Sequence, residues 1–340
     1  MSFQRISVII STYERASLLE RVLYALCDQT ISFDRYEIIV CDSNSMDDTK
    51  RIIEEISQKN SQCEIRHLHT KNMLSAKRNL GLANAKYEIV LVLDDDCIPE
   101  KRLIEKYLAS FENNDDPNII YCGEVRYPEE WVKQSNYFRY RDSRHFGSGV
   151  RPDLENGELD HRTIVSMNMA FRKNEIISRV GYFNESFFGY GCEDQEYGWR
   201  IQSAGFKILP HTARIHHYET SGSLGGYTKK IFHTSRDGVK NLLRECPEAL
   251  WSSPHSKLLE PNHPYIFALE RMKAVCFRFL LKDVFIRPIF VFLAKTDTNP
   301  AFYFPKLYRL VLAKAYINGV RQRGDVARTS DDIRHGWYNK

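Results

Sequence analysis

Residues 87–96 read YEIVLVLDDD: a nearly unbroken apolar run rich in β-branched residues, then three aspartates in a row. Such a run without polar alternation is the pattern of a strand buried on both faces, as in a parallel sheet. Adjacent carboxylates at its end are costly unless a cation or a basic partner compensates them. Working outward, Ile6 to Ile10 (ISVII), Tyr36 to Cys41 (YEIIVC), Ile65 to Leu68 and Ile119 to Val125 read as further strands. Between them Ala16 to Leu26, Thr49 to Gln58, Ser75 to Ala85 and Lys101 to Phe111 carry helical spacing, the second opened by a capping box at Ser45-Met46-Asp47-Asp48. This alternation predicts an α/β fold: a Rossmann-like mixed, mostly parallel sheet flanked by helices. Ligands of such sheets sit at the carboxyl ends of the strands, near the topological switch point.

The second half is less regular. Tyr127 to Arg162 is polar and aromatic; Thr163 to Phe171 reads as a strand, Glu193 to Ala204 as a helix and Arg214 to His217 as a short strand. From Gly226 onward the pattern is helical to Val320, with breaks at Pro254–Pro264 and Asp297–Pro300. The expected organisation is a domain over 1–225, divided into halves 1–126 and 127–225, followed by a C-terminal helical extension over 226–340.

The 340 residues are 43% hydrophobic and 27% charged, which excludes disorder, collagen and coiled coil. A net charge of +4 is too even for a dedicated nucleic-acid binder. Residues 301–340 nevertheless hold eight Lys/Arg against Asp325, Asp331 and Asp332, a basic tail suited to an anionic surface. The eight cysteines include no Cys-x-x-Cys pair, the N-terminus has no signal-peptide pattern, and no stretch reaches the roughly 18 apolar residues of a membrane span. Together these point to a reducing, cytoplasmic compartment.

A parallel sheet often binds a nucleotide through a Gly-rich loop, but the first glycine here is Gly81. Something other than backbone amides must neutralise a diphosphate. Asp94, Asp95 and Asp96 supply the candidate, since oxygen ligands favour Mg²⁺ or Mn²⁺, which takes one or two carboxylates plus substrate phosphates. In an extended segment Asp94 and Asp96 point to one side and Asp95 to the other. Asp42 follows the second strand and either meets a nucleoside or closes an Asx turn. Arg78 either neutralises phosphate or forms a surface ion pair. In Phe187 to Glu196 (FFGYGCEDQE) a Gly-rich aromatic loop enters an acidic helix start. Glu193 and Asp194 there either cap the helix or serve as a general base facing an acceptor hydroxyl. His216 and His217 face opposite ways on a strand, so one of them, His217 for preference, can join a metal site.

Taken in order, these segments resemble the family 2 nucleotide-sugar glycosyltransferases. The matching text is Val8 to Arg15 (VIISTYER), Ile39 to Thr49 (IVCDSNSMDDT), Ala76 to Gly81 (AKRNLG), Val92 to Pro99 (VLDDDCIP), Asn168 to Arg172 (NMAFR) and Gly191 to Arg200 (GCEDQEYGWR). The last also resembles galactosyl- and N-acetylgalactosaminyltransferase segments. The resemblance runs from Arg5 to Tyr218 and implies a GT-A fold and inverting transfer from a UDP-linked donor. It implies donor contacts at Thr12, Tyr13, Glu14, Asp42 and Arg78. An Asp-x-Asp pair at Asp94 and Asp96 would handle ribose and Mn²⁺ or Mg²⁺, with His217 or His216 as a further ligand. Asp95, between them, leaves open which carboxylates touch the metal. Asp194 would be the base and Glu193 would orient the acceptor, a saccharide or a lipid-linked sugar. A sugar nucleotidyltransferase would release pyrophosphate but expects a Gly-rich opening, and a non-catalytic carbohydrate- or membrane-binding protein needs none of the retained acids. In the C-terminal third, Phe277 to Ala294 (FRFLLKDVFIRPIFVFLA) is apolar yet interrupted by charge. It reads either as a helix packed on the domain or as an interfacial helix, which with the basic tail and Trp337-Tyr338 would place the protein peripherally on an anionic membrane.

Overall fold

The computed structural model describes residues 4–145, 157–164, 166–219, 222–251 and 268–322. Eight strands form one sheet: β1 (Ile6–Thr12), β2 (Tyr36–Asp42), β3 (Glu64–His69), β4 (Ile89–Asp94), β5 (Cys97–Pro99), β6 (Ile119–Arg126), β7 (Asn168–Arg172) and β8 (Lys207–His217). Their order is β3-β2-β1-β4-β7-β6-β8-β5. β3, β2, β1 and β4 run parallel. β7 is antiparallel to both β4 and β6, β8 runs parallel to β6, and β5 returns antiparallel along β8. The chain turns from one side of β1 to the other between β3 and β4. The switch point therefore lies where β1 and β4 end side by side.

Helices α1 (Ala16–Cys27), α2 (Thr49–Lys59), α3 (Leu74–Asn84) and α4 (Leu103–Asn113) connect the parallel strands and follow β5. Alternate strand residues divide the core in two. Val8, Ile10, Val40, Leu91 and Leu93 pack with Leu19, Leu23, Ile52, Ile53 and Leu108 on one face. Ile9, Ile39, Val90 and Val92 pack with Leu82, Tyr197 and Ile201 on the other. Each such aliphatic side chain contributes about 1.5–3 kcal/mol by leaving water. α3 lies close on β1 because residue 81 is glycine: a Cβ there would stand 2.2 Å from Ile9 Cγ2.

The second half adds α5 (Glu129–Gln134), α6 (Asn136–Asp142), α7 (Lys173–Arg179) and α8 (Glu193–Ser203). The C-terminal helices are α9 (Leu224–His233), α10 (Val239–Glu245), α11 (Pro247–Trp251), α12 (Ala268–Leu280), α13 (Asp283–Lys295) and α14 (Pro305–Arg321). α9, α12, α13 and α14 share an apolar cluster with α6, where Tyr137 and Tyr140 meet Leu281, Ile286, Leu293, Tyr308 and Val311, whereas α10 and α11 pack Val239, Leu242 and Leu250 with Phe187 and Val320. No helix among the described residues is long and apolar enough to cross a membrane.

Three local expectations change. The capping box does not form: Ser45 Oγ donates to Asp42 and accepts from the Glu14 amide, so it is not free to cap α2. The N-cap is Asp48, whose side chain makes no capping bond; Asp47 before it accepts from the Thr49 amide and hydroxyl at 3.1 and 2.6 Å, and from the Ala16 amide at the head of α1 at 3.0 Å. The strand expected from Thr163 begins only at Asn168, after a 3-10 turn over His161–Thr163. The apolar segment Phe277–Ala294 is two helices, broken where Leu281 and Lys282 turn back to bond the carbonyls of Arg278 and Phe279. The Pro254–Pro264 break, Phe146 and the tail residues Arg323, Arg328, Arg334, Trp337, Tyr338 and Lys340 lie outside the described residues.

Candidate functional site

The tip of β4 does not continue extended: Asp95 and Asp96 form a turn into β5. In place of the expected pairing of Asp94 and Asp96, Asp95 and Asp96 meet on one guanidinium and Asp94 turns to another. Asp95 accepts from the Thr12 hydroxyl at 2.8 Å and from Arg15 at 2.7 Å. Asp96 accepts from the other arm of Arg15 at 2.7 Å and stands 3.3 Å from His217 Nε2. Asp94 faces Arg78, at 3.4 Å. His217 arrives because β8 pairs with β5, putting it opposite Cys97. It is buried and its Nδ1 has no hydrogen-bond partner among the described residues. His216, one residue earlier, points out of the site toward Glu100 at 3.9 Å.

Burial pushes all three carboxyls up, and their neighbours then separate them. Asp94 stays raised, with Asp96 and Asp194 adding to burial against the pull of Arg78. Asp95 settles at about 6 although Arg15 opposes its burial. At Asp96 burial is outweighed by His217 and Arg15, which hold it well below the usual carboxylate range.

The loops after β1 and β2 close on the same tip. Asp42 is buried and accepts from the Ser45 amide and hydroxyl, closing the Asx turn, one of its two readings. Burial raises the Asp42 carboxyl, but His67 and Ser45 outweigh it and lower its pKa. Tyr13 and Glu14 form the loop between Thr12 and Arg15, with Glu14 held at φ 50°. Burial, Glu14 and Asp42 raise the Tyr13 phenol.

Arg78 is not on a helix surface. It is 1% exposed, and its guanidinium lies 2.8 Å from Asp194 and 3.6 Å from Glu193 as well as beside Asp94. It thus bridges the end of β4 and the start of α8. Neither Glu193 nor Asp194 caps that helix: its N-cap is Cys192, at φ 70° with no side-chain bond. Asp194 instead accepts from the Ser166 hydroxyl and from Arg78. Burial and Asp194 push the Glu193 carboxyl up to about 7, against Arg78. The loop before it holds its path through Gly191, at φ 92°, where a Cβ would meet Thr234 Cγ2 at 2.6 Å.

Three residues here escape sequence reasoning. Arg15 clamps Asp95 and Asp96. Lys77 is buried, donates to the Thr12 carbonyl at 3.2 Å and is pulled by burial down to about 8. Ser166 orients Asp194. The signal for Arg15 and Lys77 is the unpaired acidic charge itself, which demands cations nearby.

A metal belongs in this chemistry only if the residues suit one. Asp94, Asp96 and His217 do not close into a single tight set among the described residues. Asp96 Oδ2 and His217 Nε2, 3.3 Å apart, do suit an ion that completes its shell with phosphate oxygens and water.

A switch point furnished with acids instead of glycines, faced by carboxylates from a second, partly antiparallel half, defines a GT-A fold. The model of glycosyl transferase family 2 matches residues 7–178, and the chain belongs to that family. Residues 153–222 also match a model described as the N-terminal domain of galactosyltransferase. Among curated proteins the chain is 27% identical over 270 residues to a chondroitin synthase of Escherichia coli, covering 70% of this chain and 37% of that one. It is 26% identical over 268 residues to a hyaluronan synthase of Pasteurella multocida, covering 70% and 26%. It therefore spans roughly a quarter to two fifths of these relatives' length. The fold is shared with a mannosyltransferase of Pyrobaculum calidifontis solved with GDP-Man and Mn²⁺ (TM-score 0.53, 16% identity, 95% of this chain and 89% of that). It is shared also with TarS 1-349 of S. aureus solved with UDP-GlcNAc (TM-score 0.51, 16% identity, 94% and 92%).

Proposed function

We propose that this chain transfers a sugar, with inversion, from a UDP-linked donor to a hydroxyl of a saccharide or lipid-linked acceptor, and that residues 1–225 form the catalytic unit. The observation that carries it is the convergence, through Arg78, of the β4 acids and the Glu193–Asp194 pair from opposite halves of the sheet. Thr12, Tyr13, Glu14 and Asp42 meet the nucleoside, and Arg15 and Lys77 supply positive charge beside the diphosphate. Asp96 and His217, with Asp94 or Asp95 near the ribose, hold Mn²⁺ or Mg²⁺. Such an ion, when bound, offsets charge on the leaving diphosphate without proton transfer. Asp194, aimed by Ser166 and Arg78, accepts the proton of the attacking acceptor hydroxyl, and Glu193 orients that sugar.

A thermal-shift panel of nucleotide sugars with and without Mn²⁺ tests donor binding: a ligand at 100 times its Kd raises stability by about 2.7 kcal/mol. Asp194→Asn is expected to keep that shift and to lose about 10²–10⁴-fold in transfer, the usual worth of a general base. Wild-type turnover by this variant removes Asp194 from the mechanism.

A peripheral place on an anionic membrane completes the proposal, supported by α13. Its Ile286 and Leu293 are buried, while Val284, Phe285, Val291 and Phe292 on the outer face remain exposed. Val284, Val291 and Phe292, with Asp283, Arg287 and Pro288, line an open, largely apolar depression of about 530 Å³. Phe302 and Phe304 extend the patch beside Phe292, at ring separations of 5.7 and 6.1 Å. Arg287 lines it beside Asp283, and the exposed Lys295 at the end of α13 and Lys306 in the first turn of α14 add the positive charge that an acidic headgroup layer complements.

A further inference from the structure

β3 is an edge strand, and its sequence Arg66-His67-Leu68-His69 places two imidazoles two residues apart, hence on one face. In the parallel register Asp42 at the end of β2 lies directly opposite His69. Asp42 Oδ2 stands 3.3 Å from His67 Nε2 and 3.8 Å from His69 Nδ1, and the rings lie 4.3 Å apart. One ligand atom from each of the three falls within 4.8 Å of the other two, which no other His, Cys, Asp or Glu trio among the described residues achieves. Asp42 is buried, His67 is 15% exposed and His69 48%, so the trio has a fixed floor and an open side.

We infer that Asp42, His67 and His69 form a second metal site, distinct from the β4 acids, for a borderline transition ion such as Zn²⁺. Nitrogen and carboxylate ligands hold Zn²⁺ at about 2.0–2.2 Å in a tetrahedron, and ligand atoms already 3.3–3.8 Å apart need little movement to reach it. Three protein ligands leave a fourth position for water. Imidazole favours Zn²⁺, Co²⁺, Ni²⁺ and Cu²⁺ over Mn²⁺, which stands lowest in the divalent affinity order. Two imidazoles here against the single His217 beside the β4 acids tilt Zn²⁺ toward this site and leave Mn²⁺ or Mg²⁺ to the more oxygen-rich one. The consequence for activity rests on the proposed function, where Asp42 meets the donor nucleoside: Zn²⁺ on Asp42 excludes the donor.

The test is Co²⁺ titration of the chelator-stripped full chain, read by visible d–d absorption. Wild type is expected to take up one absorbing Co²⁺, displaced by Zn²⁺ and not by equimolar Mn²⁺. His69→Gln and His67→Gln should each weaken it about 100-fold or more, since loss of even an outer-shell partner costs about 10–100-fold. Asp96→Asn should leave it intact. No absorbing Co²⁺ in wild type, unchanged affinity in both histidine variants, or loss in Asp96→Asn overturns the site. UDP is expected to raise the apparent Co²⁺ Kd. A Co²⁺ site that meets every histidine criterion but ignores UDP upholds the metal site and overturns the nucleoside role of Asp42, so the two failures are told apart.

Discussion

At the scale of single residues, Glu193 makes the sharpest prediction. Its carboxyl is pushed by burial and Asp194 from an ordinary 4.5 to about 7. Between those values the folded protein holds a proton that the unfolded chain has released, so this group's contribution to stability is lost as pH rises through the window. Glu193→Gln carries no such slope. In urea unfolding at about pH 5 and about pH 8, wild type is expected to lose more stability than the variant, and equal losses contradict the assignment. The acids of the tip were legible because Asp94, Asp95 and Asp96 are adjacent and follow an apolar strand. Arg15, Lys77 and Ser166 were not: each acts across the fold, Arg15 on Asp95 eighty positions away and Ser166 on Asp194. Nothing in the local pattern of a loop arginine or a helical lysine separates it from a solvated one.

At the scale of elements, the loop into α8 should depend on its glycines. Gly191→Ala meets both a φ of 92° and a Cβ contact of 2.6 Å, whereas Gly181→Ala meets φ 84° with nothing within 4 Å. Left-handed strain alone costs about 1–3 kcal/mol. Thermal unfolding should therefore show Gly191→Ala lowering Tm further than Gly181→Ala, with a larger fall in transfer as Glu193 and Asp194 shift. Equal effects on both would mean that the loop's packing on Thr234 is immaterial. The parallel strands were readable from unbroken apolar runs such as Ile6–Ile10 and Ile89–Leu93. The overextended strand at Thr163 and the missing capping box show the limit of the same method. Ile164 is buried without belonging to the ladder, and Ser45 has its hydroxyl spent on Asp42.

At the scale of the whole molecule, the unresolved sequence choice for Phe277–Ala294 becomes a division of faces: α13 packs Ile286 and Leu293 inward and presents Val291 and Phe292 outward. Periodicity could not decide this, because the helix is apolar on both sides. Sedimentation with phosphatidylglycerol-containing vesicles at low salt should carry wild type down, and Val291→Glu/Phe292→Glu should stay in the supernatant with its donor-induced thermal shift unchanged. Equal sedimentation of the two proteins rejects this face. Asp47 accepts with one carboxylate from the first amide of both α1 and α2. The two segments that would cradle the nucleoside, one after β1 and one after β2, are thus fastened to each other, with the Glu14 amide on Ser45 Oγ as a second tie. Widening one of them for a bulkier base would therefore pull on the other as well.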